Sequence, residues 1–236
     1  MALLIARHGE RTDFVDNAWV DTAPRPWDPP LTPLGVLQGR ALGRRLSSFT
    51  PPVSRIFVSP LGRTVETAAA AAQQLGVTRL CVEPGLAEVL DEDWYRCWRC
   101  RREDPRGDQN AAHLLLTPQQ LYAQVSPLVD TTYVAHFDLA KLNVTRKSPE
   151  TWPSLAERMH ATIRALAAQH PGESLLFISH GGPIEAVLPV LDASLRPPFH
   201  VRYTSLSVFS PQAAGSYKCQ VAACAQHIED LQVEDV

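Results

Sequence analysis

Leu3-Leu4-Ile5-Ala6-Arg7-His8-Gly9-Glu10 decides how the rest of the chain is read. An unbroken apolar run that ends abruptly in Arg-His-Gly has the pattern of a central parallel strand buried on both faces and closing in a glycine-containing loop. Polar chemistry at the C-terminal end of such a strand is where α/β folds place their sites. A second stretch repeats the arrangement far downstream: Ser174 to Ile178 reads as a strand and runs into Ser179-His180-Gly181-Gly182. Two histidines therefore end two predicted strands, and they converge if those strands are neighbours.

Between and around these strands the sequence alternates β and α. The density of turn formers from residue 12 to 30, with Pro24, Pro26, Pro29 and Pro30, predicts a loop over the sheet and not a helix. Thr32 then reads as an N-cap with Pro33 at the first helical position, and Leu34, Leu37, Ala41, Leu42 and Leu46 recur at helical spacing. Ile56-Phe57-Val58 is a further buried strand. The helix after it spans about Leu61 to Leu75, carries Arg63 in its first turn and is ended by Gly76. Leu80 to Val82 predicts a short strand leading to the turn Glu83-Pro84-Gly85. Residues 91 to 150 break the rhythm and read as an inserted, cap-like excursion. A helix that follows Trp152-Pro153-Ser154 and runs to about Gln169, a helix from Pro183 to Leu191, and strands near 205–209 and 217–221 complete the pattern. The predicted fold is a single α/β domain over residues 1–236, a three-layer sandwich with a mostly parallel central sheet flanked by helices.

Composition narrows the function classes. The 236 residues are 45% hydrophobic and 20% charged, which excludes disorder and collagen-like repeats. With 22 basic and 25 acidic residues the formal net charge is −3, so net charge suggests neither nucleic acid nor a membrane as partner. All basic residues except Lys141, Lys147 and Lys218 are arginine, whose planar fork suits phosphate oxygens. The odd number of cysteines, five, with no secretory leader pattern, predicts free thiols and a cytoplasmic location. Cys97, Cys100 and His113 match part of a zinc-site spacing, but the fourth ligand is missing and no metal is expected. Trp94, Trp98 and Trp152 are read as core packing ahead of a pocket for a bulky ligand.

Arg7, Arg11, Arg63, His8 and His180, gathered at one sheet edge, would suit a phosphoryl group. Arginine forks and loop N–H groups complement its oxygens, and a neutral imidazole can attack phosphorus. Arg11 is also explained by an ion pair with Asp13 or Glu10.

These residues, with Ser59-Pro60-Leu61-Gly62-Arg63-Thr64-Val65-Glu66-Thr67-Ala68, resemble the histidine phosphatase (phosphoglycerate mutase-like) superfamily from Leu3 to about Phe209. Within it, Arg11-Thr12-Asp13, Val82 to Glu88, and Val129-Asp130-Thr131-Thr132-Tyr133 with Lys141-Leu142 are similar to the Sts/TULA phosphatase domain and the ecdysteroid-phosphate phosphatases. The resemblance implies a phosphomonoesterase that needs no metal or other cofactor and works through a phosphohistidine on His8. Arg7, Arg11, Arg63 and His180 would hold the phosphoryl oxygens, and Glu88 would be the general acid and base, with Glu83, Asp91, Glu92 and Asp93 as rivals for that role. Apolar neighbours push the Glu88 carboxyl up in pKa and the arginines push it down. The implied substrates are phosphotyrosine-like, steroid-phosphate or other bulky phosphomonoesters, small or on a protein, and a homodimer is plausible. A phosphoglycerate-type mutase and a non-catalytic phosphoryl-binding scaffold are the alternatives.

Overall fold

The computed structural model describes residues 1–89, 115–138, 144, 148–212 and 215–231. Its frame is a six-stranded sheet in the order β3-β2-β4-β1-β5-β6. The strands are β1 (Ala2–Arg7), β2 (Val53–Val58), β3 (Leu80–Val82), β4 (Ser174–Ser179), β5 (Leu206–Pro211) and β6 (Tyr217–Cys224). The pairs β1·β4, β4·β2 and β2·β3 are parallel, whereas β5 and β6 join antiparallel, so the sheet is mostly parallel as predicted. Arg7 lies opposite Ser179 in the β1·β4 register, which sets His8 and His180 side by side where the two strands end.

The helices are α1 (Thr12–Val15), α2 (Trp19–Thr22), α3 (Pro33–Ser47), α4 (Gly62–Leu75), α5 (Pro118–Gln124), α6 (Trp152–Gln169) and α7 (Gly181–Leu191). One sheet face packs Leu4, Ile56, Val58, Leu176 and Ile178 against Leu42 and Leu46 of α3 and Val65, Ala68 and Ala72 of α4. The other packs Leu3, Ile5, Phe57 and Phe177 against Met159, Ile163 and Leu166 of α6 and Ile184, Val187 and Leu188 of α7. That is the expected three-layer sandwich.

Local signals act as read. The Thr32 hydroxyl accepts the Gly35 N–H at 3.0 Å, and Gly76 ends α4 at φ 67°. Two expectations change. The proline-rich stretch 12–30 is not all loop: it contains the single-turn helices α1 and α2, since the prolines cluster after residue 23 and leave a few residues free to close a turn. Part of the 91–150 excursion also has regular structure. Thr117 and Gln120 form a capping box at the start of α5, and Leu80 receives Leu128 and Asp130 as hydrogen-bond neighbours at the sheet edge. No helix among the described residues is long and apolar enough to cross a membrane.

Candidate active site

His8 is the first residue beyond β1, held there by its N–H to the Ser179 carbonyl at 3.0 Å. The turn that follows requires glycine: a Cβ on Gly9 would collide with the backbone of Gly35 at the start of α3. The His8 side chain is 1% exposed, and its Nδ1 lies 2.7 Å from the Gly9 carbonyl. A carbonyl only accepts, so Nδ1 carries the proton and Nε2 keeps its lone pair. Burial, then the neighbouring Arg63 and Arg7, hold the His8 pKa well below the ordinary histidine value, so the ring is neutral.

His180 caps α7 with its ring 5.2 Å from that of His8. Its Nε2 lies 2.7 Å from the Ser59 hydroxyl, and its Nδ1 is buried with no hydrogen-bond partner among the described residues. The nearest carboxylate oxygen to that nitrogen is Glu88 Oε2, at 4.0 Å. Burial and the surrounding arginines lower the His180 pKa as well.

Three arginines surround this pair. Arg7 donates to the Val201 carbonyl at 2.8 Å and lies 4.4 Å over the Tyr203 ring, while its Nε is buried without a partner among the described residues. Arg11 makes a bidentate pair with Asp13 at 2.9 and 2.5 Å, and still lines the pocket. The ion-pair reading of Arg11 is thus met, with Asp13 as the partner. Arg63, the second residue of α4, is fully buried and donates to the Trp27 carbonyl and to Asp28 at 3.3 Å. Asp28 also accepts the Gly62 N–H at 2.9 Å, so it caps α4 and orients Arg63 together.

Glu88 follows a short 3-10 turn, Pro84–Leu86. It is 5% exposed and faces the pocket; its Oε1 accepts the Val89 N–H at 2.9 Å. The contest between apolar surroundings and arginines goes to burial: desolvation raises the Glu88 pKa against the opposing pull of the Val89 N–H, Arg63, Arg11 and Arg7. Its rival Glu83 is occupied elsewhere. That carboxylate accepts the Tyr133 hydroxyl at 2.8 Å and the N–H groups of His136 and Phe137 at 2.8 and 2.9 Å. Asp91, Glu92 and Asp93 lie outside the described residues, as do Trp94, Trp98, Cys97, Cys100, His113, Lys141 and Leu142. Trp152 corrects the core-packing expectation: at the first position of α6 it is 45% exposed and off the pocket wall. Among the described residues no group of His, Cys, Asp and Glu is arranged to hold a metal ion.

The resulting pocket measures about 500 Å³. Arg7, Arg11, Arg202, Glu88, Glu185 and the α7 N-terminus at Gly181 and Gly182 contribute its polar wall, and Phe14, Phe199 and Val201 its apolar one; His8, His180 and Arg63 are buried and do not line it. Helix N–H groups and guanidinium forks aimed into one cavity favour a compact oxyanion. Sequence reasoning missed Asp28, Tyr203 and Arg158. Only Arg158 carried a usable signal, as a charge within the apolar stripe of α6 marked by Leu155, Met159 and Ile163.

The model of the histidine phosphatase superfamily (branch 1) matches residues 3–115 and 117–222, and the chain belongs to that superfamily. It is 26% identical over 212 residues to the ecdysteroid-phosphate phosphatase of Drosophila melanogaster, covering 78% of this chain and 26% of that protein. Human ubiquitin-associated and SH3 domain-containing protein A, an Sts/TULA protein, is 24% identical over 78% of this chain and 30% of its own length. The chain therefore spans less than a third of these two relatives. A 2,3-bisphosphoglycerate-dependent phosphoglycerate mutase of Methylobacterium is 25% identical, with 80% of each chain covered. The fold is shared with the ecdysone phosphate phosphatase of Bombix mori, solved with tungstate, at a TM-score of 0.65, 20% identity and coverage of 94% and 93%.

Proposed function

We propose that this chain is a phosphomonoesterase working through a phosphohistidine on His8. One observation carries the reading: a buried, neutral histidine with its Nε2 lone pair available lies among three arginines, and a carboxyl that burial biases toward its protonated form lies 4.0 Å from the neighbouring His180. In the first half-reaction Nε2 attacks phosphorus, the phosphorus–oxygen ester bond breaks, and Glu88 gives its proton to the departing oxygen. The phosphorylated ring is then an imidazolium whose Nδ1–H stays on the Gly9 carbonyl. In the second, water attacks phosphorus while the Glu88 carboxylate takes its proton, and the bond to Nε2 breaks with its electrons returning to the ring. Arg7, Arg11, Arg63 and His180 hold the phosphoryl oxygens and stabilise the charge on them.

A pocket of about 500 Å³ leaves room for more than a phosphate, and the Phe14 and Phe199 surfaces suit an aryl or other bulky apolar leaving group. Phosphotyrosine-like and steroid-phosphate esters are the substrates proposed. The test is hydrolysis of a small aryl phosphate by the wild type and by His8→Ala, with trapping of labelled phosphate on the protein. Turnover and label should both vanish in the variant; equal rates would end the proposal, and tight binding without turnover in the wild type would favour a scaffold. The mutase relative, matched over 80% of both chains, supports a second reading. Phosphoglycerate interconversion faster than phosphate release would put that reading first.

A further inference from the structure

We infer that Arg158, buried on α6, is a positioning residue that sets the location of Glu88, and that Glu150 holds Arg158 in turn. The inference rests on the reading of Glu88 as the general acid. The segment from Gly85 to Glu88 belongs to no strand ladder, so its carbonyls need other partners. They find them in side chains. Arg158 Nη1 donates to the Gly85 carbonyl at 2.9 Å and the Ala87 carbonyl at 3.1 Å, and Nη2 to the carbonyl of Glu88 itself at 3.3 Å. The remaining carbonyl, that of Leu86, accepts the Ser179 hydroxyl at 2.8 Å. Four consecutive carbonyls are thus pinned from β4 and α6.

Arg158 is pinned as well. Its Nε and Nη2 each donate to a Glu150 carboxylate oxygen at 2.7 Å, and both side chains are almost fully buried. A guanidinium has five N–H groups, and these five hydrogen bonds use all of them. Arg158 therefore has no donor left for a substrate, which separates it from Arg7, Arg11 and Arg63. A methyl on Gly85 would collide with Thr162, one turn further along α6, so the loop is seated against this helix by contact as well as by hydrogen bonds. A buried ion pair of this kind is often no more stabilising than apolar packing, so its use here points to geometry. An acid must meet the departing oxygen to within a fraction of an ångström, and a loop with no ladder of its own needs such a clamp.

The test exploits what an acid does for different leaving groups. Protonation matters greatly for an alkyl phosphate and little for a dinitrophenyl phosphate, whose phenolate departs unaided. In kcat/KM, which reports phosphorylation of His8 and not the later attack of water, Glu88→Gln should lose about 100-fold or more on the alkyl ester and only a few-fold on the activated one. Arg158→Lys and Arg158→Met should show the same leaving-group dependence in kcat/KM at reduced size, with kcat/KM for the activated ester nearly unchanged. The double variant Glu150→Gln/Arg158→Met, which removes both members of the pair and so strands no buried charge, carries the same expectation if the single Arg158 variants do not fold. Equal losses on both esters, or none on either, in the folded Arg158 variants, single or double, would overturn the clamp while the Glu88→Gln series still stood. A flat Glu88→Gln series would instead overturn the acid assignment, and the clamp with it.

Discussion

Replacing Arg7 by lysine keeps the charge and removes the fork, and the structure allows the loss to be sized. Arg7 already uses one Nη1–H on the Val201 carbonyl at 2.8 Å and rests on the Tyr203 ring, while its Nε has no partner among the described residues. Burial lowers its pKa, chiefly by desolvation, which marks a cation short of compensating groups. A phosphoryl oxygen at the pocket would supply the missing acceptor. A charge-assisted hydrogen bond is worth about 1.5–3 kcal/mol, and lysine can keep the Val201 contact or reach the oxyanion but cannot reproduce both. At about 1.4 kcal/mol per tenfold, the expected fall in kcat/KM on a small aryl phosphate is roughly 10- to 150-fold. Because the bond is made to bound phosphate as well as to the transition state, the inhibition constant for inorganic phosphate should rise in parallel. Steady-state kinetics with phosphate as competitor measure both, and Tyr203→Phe, which keeps the ring beneath the guanidinium, is the control. A folded Arg7→Lys enzyme within threefold of the wild type in both constants would refute this account of Arg7.

The pH dependence of kcat/KM, which reports the free enzyme and the first half-reaction, has a definite sign. His8 must be neutral, and its lowered pKa puts loss of activity well below pH 6.5; Glu88 must start protonated, and its raised pKa puts the other loss above pH 4.5. The expected profile is a bell whose upper limb disappears in Glu88→Gln; an unchanged upper limb in that variant assigns it to another group. Asp28→Ala should remove the α4 cap at Gly62 and the carboxylate beside Arg63. The cap alone is worth about 0.5–2 kcal/mol, and calorimetry should show a melting point lower by about 1–8 °C together with a larger KM. An unshifted melting point would mean that the cap contributes nothing.

Much of this site is local in sequence and therefore legible there. Arg7, His8 and His180 occupy strand ends that an unbroken apolar run announces, and Arg63 follows a helix-entry signal, so placing the strands side by side places the chemistry. Asp28 sits in a proline-rich stretch with no periodicity, and its bond to Gly62 spans 34 residues. Tyr203 reaches Arg7 only because the chain before β5 folds back over the strand ends. Whether Glu83 or Glu88 faces the pocket depends on a turn of three residues, and it was settled by the long-range contacts of Tyr133, His136 and Phe137 with Glu83. Composition could not have supplied these distances.

The near-neutral net charge and the arginine-rich site fit together once the carboxylates are followed. Arg11 is backed by Asp13, Arg63 by Asp28 and Arg158 by Glu150, each carboxylate being nearly buried. A cation buried with a hydrogen-bonded carboxylate has its desolvation cost offset and its rotamer fixed before any ligand arrives. The cost of that arrangement is charge, since each pair is neutral overall and attracts a distant anion weakly. Arg7 differs: among the described residues it forms no ion pair and is oriented by a carbonyl and an aromatic face instead. It is thus a source of positive potential that Arg11 and Arg63, each paired with a carboxylate, are not. The same potential disfavours protonation of His8, because Arg63 and Arg7 follow burial as the largest causes of its lowered pKa. On the proposed mechanism, one set of arginines both receives the phosphoryl oxygens and keeps His8 unprotonated, while the depth of Glu88 favours its protonated form against them.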